Sequence, residues 1–227
     1  MESLPEGSET LAGRLREMAQ LVECSVSQSV DAVLKRSSIA ALAVFDRRRR
    51  VNQLQALIDA GAGGLFVCQP AGVNPAFGAM AAKMGRSLVC MSDLAVGIGV
   101  SALTLLSLPA VDPGVDFRRM GEAVGRRLRA GIDAFVGGEA VPRRATPDLG
   151  RVAEPGEGAY ETLMRFMDRD PVRVHPGLEY VFIVRDLDRL ADHAAGIAED
   201  ALFFAKVSGR QGCDVRCAES FSGSSPG

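Results

Sequence analysis

The feature that most constrains this chain is that it repeats itself. Residues 15–34 can be laid on residues 117–136, so that Met18 meets Met120, Val22 meets Val124, Val30 meets Ile132, and Asp31-Ala32 meets Asp133-Ala134. Further along, residues 91–105 match residues 190–204. There Asp93, Ala95, Gly97, Ile98, Ala102 and Leu103 recur as Asp192, Ala194, Gly196, Ile197, Ala201 and Leu202. The offsets are 102 and 99, so most of the 227 residues are two near-equal copies of one unit. A repeat this long must solve the same burial problem twice, which narrows the fold before any single motif is weighed.

Each copy reads as three helices. In the first, an amphipathic helix is expected over about residues 9–35. A second should open at Ser37 or Ser38 and run to a turn at Gly61–Gly64. A long third lies between the Asn74-Pro75 start and Pro109. The second copy opens near Val115 with a helix stopped at Gly137-Gly138. A Pro- and Gly-bearing connection over 143–158 follows, with a remnant middle helix over 161–167. The last long helix opens at Pro171 or Pro176 and continues to about Val207. The expected fold is all-α, two antiparallel three-helix bundles in tandem. Its boundaries are a flexible N-terminus over 1–8, a first repeat over 9–110, a second over 111–207 and a disordered tail over 208–227.

Composition agrees with this. There is no Trp, only two Tyr and ten Phe, and 47% of residues are hydrophobic against 24% charged, which suits an aliphatic helical core. The net charge of −2 supplies no basic field for nucleic acid. The polar start MESLPEGSET has no apolar signal region. Residues 94–111 carry no charge, yet Pro109 and several hydroxyl residues make them a buried helix rather than a membrane span. Cys24, Cys68 and Cys90 sit in apolar helical patterns and are expected as reduced, buried thiols, while Cys213 and Cys217 lack the further ligands of a zinc site.

The chemistry-bearing residues concentrate on the last long helix. Asp188 and Asp192 stand four apart, so a helix stacks their carboxylates one turn above each other. Like charges so placed cost about 0.2–0.5 kcal/mol unless a cation lies between them. Arg185 and Arg189, each three residues before an Asp, can supply that charge and make a solvated ion-pair face; a bound metal ion is the alternative. His193 points about 100° round the helix from Asp192 and reads as a structural histidine, and His175 as part of the helix entrance. Four consecutive arginines, Arg47, Arg48, Arg49 and Arg50, wrap a full helical turn. Their stems can cover apolar neighbours, or their heads can meet an anionic partner. No E-x-x-H occurs, so the di-iron carboxylate arrangement is missing its metal-binding pairs. No phosphate-cradling G-x-x-x-x-G-K-S/T and no G-x-S-x-G is present, and an enzyme is not expected.

The run LMRFMDRDPVRVHPGLEYVFIVRDLDRLADHAAGIAED, residues 163–200, resembles the second repeat of the PhoU family of phosphate-uptake regulators. Asp170-Pro171 matches the family's entry, and Asp186 through Asp192, His193, Ala194, Ile197, Ala198 and Glu199 match its long helix. Cys68-Gln69-Pro70 and Ser92 through Ala95 give a looser match in the first half. The resemblance implies a cytoplasmic, non-catalytic adaptor that represses phosphate-starvation genes. Its implied partners are the ATPase subunit of the phosphate ABC transporter and the phosphate sensor histidine kinase, with a homodimer as the expected assembly and the membrane approached only through those partners. A diverged paralogue serving another transporter is the alternative reading, and a metal-binding carboxylate bundle a third.

The resemblance also implies metal on the E/D-x-x-x-D motif of each repeat. In the second repeat this falls on Asp188 and Asp192, where Fe, Zn, Mn or Mg would be held. In the first repeat only Asp93 survives. The position four before it is Val89, Ser87 and Cys90 replace the family's Asp and Arg, and Arg48 stands where the family carries an acid four before Asn52.

Overall fold

A computed structural model describes residues 6–68, 74–137 and 158–221. The described elements are α1 (Glu6–Leu34), α2 (Ser38–Cys68), α3 (Pro75–Leu106), α4 (Phe117–Val136), α5 (Ala159–Asp168), a 3-10 turn (Pro171–Arg173) and α6 (Val174–Phe221). No strand occurs among the described residues, so the all-α expectation holds.

Local chemistry sets most of the helix ends. Asn74 Oδ1 accepts from the Ala76 amide at 2.9 Å, with Pro75 in the first turn, as the Asn-Pro signal requires. Asp116 caps α4 by accepting from the Arg119 amide at 2.9 Å, and Asp170 accepts from the Val172 amide at 3.0 Å ahead of the 3-10 turn. Between α1 and α2 the chain reverses through Arg36, which adopts φ 48°. Its guanidinium donates to the Leu108 carbonyl at 2.8 Å and the Leu106 carbonyl at 3.3 Å. A cation on the last carbonyls of α3 is favourable for the helix dipole.

Three expectations are corrected. Helix α2 does not turn at Gly61–Gly64 but runs on to Cys68. Each helical glycine costs about 1 kcal/mol relative to alanine, and tertiary packing offsets that cost here. A Cβ at Gly61 would stand 2.8 Å from Leu11 Cδ2, and Ala62 and Leu65 are buried beside it. The last helix likewise passes Val207 and continues to Phe221, so the tail expected from residue 208 is helical over most of its length. Once a helix is nucleated, each added residue costs little, and no proline interrupts 208–221. Cys24 and Cys90 are exposed rather than buried. Val22 and Ser25 take the inward positions on α1, and Met91 takes the inward position on α3. The connection over 143–157, the Gln69-Pro70 pair and the side chains of Cys68, Cys213 and Cys217 lie outside the described residues.

Helix α1 buries Leu11, Leu15, Met18, Val22, Val26, Val30 and Val33, one stripe at three- and four-residue spacing. It packs against α2, α3 and α4; α3 packs also on α2 and α6, and α6 on α4 and α5. The long third helices of the two copies, α3 and α6, therefore form a central seam. Gly97 permits the close approach there, since a Cβ would stand 2.7 Å from Asp186 Oδ2. Farther along, Lys83 of α3 pairs with Asp200 of α6. At one end Phe77 of α3 stacks on Phe135 of α4 at 4.8 Å, and Phe204 of α6 meets both edge-on. At the other, Tyr180 of α6 packs on Phe117 and donates to the Val111 carbonyl at 3.0 Å. Helix α3 is long and apolar enough to cross a membrane, and 56% of its most apolar window is buried within the protein.

Candidate functional site

The two acidic motifs take up different surroundings. Asp93 lies exposed on α3, and the guanidinium Nε of Arg48, from α2, donates to its Oδ1. Both side chains of this pair are close to half exposed. On α6, Asp188 is half-buried and Asp192 exposed one turn later. Tyr160 of α5 donates its hydroxyl to Asp188 Oδ2 at 3.1 Å. Burial raises the Tyr160 hydroxyl above its ordinary 10.0, and the Asp188 charge and hydrogen bond push the same way. Tyr160 thus stays a neutral donor near pH 7.

Asp93 does not join Asp188 and Asp192. Among the described residues no three His, Cys, Asp or Glu side chains gather into a group that could hold a metal ion. His193 is half-buried behind Asp192, and its imidazole is pushed below the usual 6.5. Burial is the first cause and the Arg189 charge the second, with Asp192 opposing. His175 is exposed at the entrance to α6.

The arginine run is mostly occupied internally. Arg47 reaches Gln28 of α1, Arg48 pairs with Asp93, and Arg50 forks onto Glu17 of α1 through Nε at 3.0 Å and Nη2 at 2.7 Å. Arg49 is exposed and makes no ion pair or hydrogen bond with the described residues. As four consecutive residues must, the arginines face different neighbours.

Sequence reasoning missed Tyr160, the cleft arginines Arg118 and Arg129, and the seam role of Asp186. Tyr160 sits 28 residues from Asp188, in a remnant helix with no acidic motif to mark it. Asp186 is 5% exposed and serves the seam: its Oδ1 accepts from Arg185 at 2.9 and 3.1 Å, and Oδ2 faces Gly97. The recurrence of Gly97 as Gly196 was the available signal for a close approach on this helix. Arg118 and Arg129 line a cleft of about 280 Å³ between α1 and α4. Asp31 at 3.5 Å and Glu23 at 3.1 Å pair with them, so this cleft presents no net charge to a ligand from those groups.

Known proteins are similar to this chain in sequence and in fold. A Caulobacter vibrioides protein named phosphate-specific transport system accessory protein PhoU homolog is 29% identical over 196 residues, covering 83% of this chain and 84% of that one. A homologue of the same name from a Burkholderia species is 25% identical over 216 residues, covering 92% and 88%. The chain is similar to PhoU homologues over most of its length. No family model matches it. In fold it superposes on the crystal structure of PhoU from Pseudomonas aeruginosa with a TM-score of 0.78 at 24% identity, covering 88% of this chain and 97% of that one. The Streptococcus pneumoniae phosphate transport system regulatory protein PhoU gives 0.72 at 20% identity, covering 86% and 93%. Against the PhoU resemblance, Arg48 is a charge-reversed position. It carries a positive charge at a position where the family resemblance implies an acid.

Proposed function

We propose that this chain is a regulatory adaptor of phosphate uptake, a cytoplasmic negative regulator without catalytic activity of its own. The observation that carries the reading is the likeness, over 83% of the chain, to a protein named as an accessory of the phosphate-specific transport system. In this reading the bundles dock on the ATPase subunit of the phosphate ABC transporter or on the sensor histidine kinase when phosphate is plentiful. Docking holds the kinase in its non-signalling state, and the chain acts as a homodimer. Such a switch works only through unequal affinity for two states of the partner. Arg49, the member of the arginine run with neither an ion pair nor a side-chain hydrogen bond among the described residues, is the residue offered to an anionic partner surface.

The reversed charge at Arg48 favours one second reading, a paralogue that serves another transporter. Deletion of the gene in its source organism, with secreted alkaline phosphatase measured in phosphate-rich medium, separates the two. Under the regulator reading the deletion raises the activity several-fold, and wild type restores repression. The Asp188→Ala/Asp192→Ala variant is expected to restore it as well. Unchanged activity in a strain with no other family member overturns the phosphate reading and leaves the paralogue.

A further inference from the structure

We propose that in the first repeat the guanidinium of Arg48 stands in for the metal cation that the resemblance to PhoU implies there, tying α2 to α3 without any bound ion. This rests on that resemblance and the local geometry, and it holds whether or not the chain regulates phosphate uptake.

The residues present do not fit a metal. A hard cation takes about six to eight oxygen ligands, typically from several carboxylates. Around Asp93 the position one turn earlier is Val89, which offers none, and Ser87 and Cys90 replace the family's charged residues. Asp93 Oδ1 already accepts from Arg48 Nε. A metal ion at that carboxylate would lie beside a permanently protonated guanidinium, and like charges at contact distance repel. Nor does Asp59 contribute, since it pairs with Arg86 at 3.6 Å and accepts from the Gln55 side-chain amide at 2.9 Å.

The arginine answers the same electrostatic need in a different way. A metal ion compensates carboxylates only while it stays bound, so its effect varies with ion concentration, chelators and pH. A guanidinium is covalently part of the chain and stays charged at every pH at which the protein folds. The α2–α3 contact at this point therefore depends on ionic strength, through screening of a half-exposed pair, and not on which metal the cell supplies.

The test uses the purified full-length chain, stripped with EDTA and then dialysed against Mn(II) or Zn(II). Bound metal is measured by mass spectrometry and melting temperature by circular dichroism. Five proteins are compared: wild type, Asp93→Asn, Arg48→Gln, Arg48→Glu/Val89→Glu and Asp188→Ala/Asp192→Ala. Wild type should hold no metal that Asp93→Asn removes; any metal lost instead on Asp188→Ala/Asp192→Ala belongs to the second repeat. The double variant, which installs one acid on α2 opposite Asp93 and one on α3 a turn before it, should take up close to one Mn(II) per chain. Its melting temperature should rise by about 5 °C at saturating metal, reversibly with EDTA. Stoichiometric wild-type metal that disappears in Asp93→Asn overturns the proposal, as does a folded double variant that binds none. If the double variant does not fold, Arg48→Gln decides. It should melt about 1–2 °C lower in EDTA and lose part of the wild-type salt dependence, and an unchanged melt and salt response would mean there is no clip.

Discussion

Asp93 and Asp192 occupy equivalent places on α3 and α6, yet the residues facing them from the neighbouring helices differ. In the first copy the facing helix α2 spans Ser38–Cys68, and its Arg48 pairs with Asp93. In the second the described facing helix is Ala159–Asp168, and a neutral hydroxyl from Tyr160 reaches Asp188. One copy pairs its carboxylate with a cation, while in the other a tyrosine hydroxyl reaches Asp188 and Asp192 is exposed to water. An acidic motif in a repeat therefore says little until the residue on the opposite helix is known.

The strongest way to break the comparison is in the core, where the copies remain alike. Leu88 and Leu187 are equivalent, and both are fully buried. Leu88→Ala and Leu187→Ala should each cost about 2–5 kcal/mol. Because α3 and α6 share the seam, urea unfolding should show one transition for either variant, at an unchanged slope. Two separate transitions would mean that the copies unfold apart.

The facing residues should give smaller and qualitatively different losses. Tyr160→Phe removes a hydrogen bond to a carboxylate from a side chain 41% exposed; the expected cost is about 0.5–1.5 kcal/mol, with little dependence on salt. Arg48→Gln removes a half-exposed ion pair, at about 0–1 kcal/mol, and that cost should shrink as salt is raised to about 1 M. Thermal melts of both variants at low and high salt check the contrast.

The smallest effect expected is a pH slope that belongs to the second copy alone, since His193 has Leu94 as its counterpart. Burial lowers the folded-state pKa of His193 below the ordinary 6.5, so the unfolded chain binds the proton more readily. Its neutral form is fully compatible with the fold above 6.5. Stability from this group is then lost as pH falls through 6.5 towards the lowered value. His193→Leu should flatten that part of a stability–pH curve, and a curve unchanged by the substitution would remove His193 as its source.

Much of this was legible in sequence because it depends on neighbours in the chain. The Asn74-Pro75 cap and the amphipathic stripes of α1 and α4 are local signals, and the repeat itself announced which helices would correspond. The Gly61–Gly64 stretch was misleading because Leu11, far off in sequence, supplies the packing that keeps glycine helical. The charges of Arg48 and Asp93 were each visible, but their pairing is set by the rotation of α2 against α3, which no spacing within either helix encodes. Tyr160 was hidden for a further reason. Its helix is short, and the motif that would align it with α2 is gone.

The seam described for the fold also bears on how such a chain can change over generations. Duplicated segments are free to drift separately only where they do not touch. Gly97 lies in one copy and Asp186 in the other, and a methyl group at the first would intrude on the carboxylate of the second. Lys83 and Asp200 are joined across the same boundary. Positions like these constrain one another across the boundary, so cutting the chain in two would strip each copy of contacts that the other supplies.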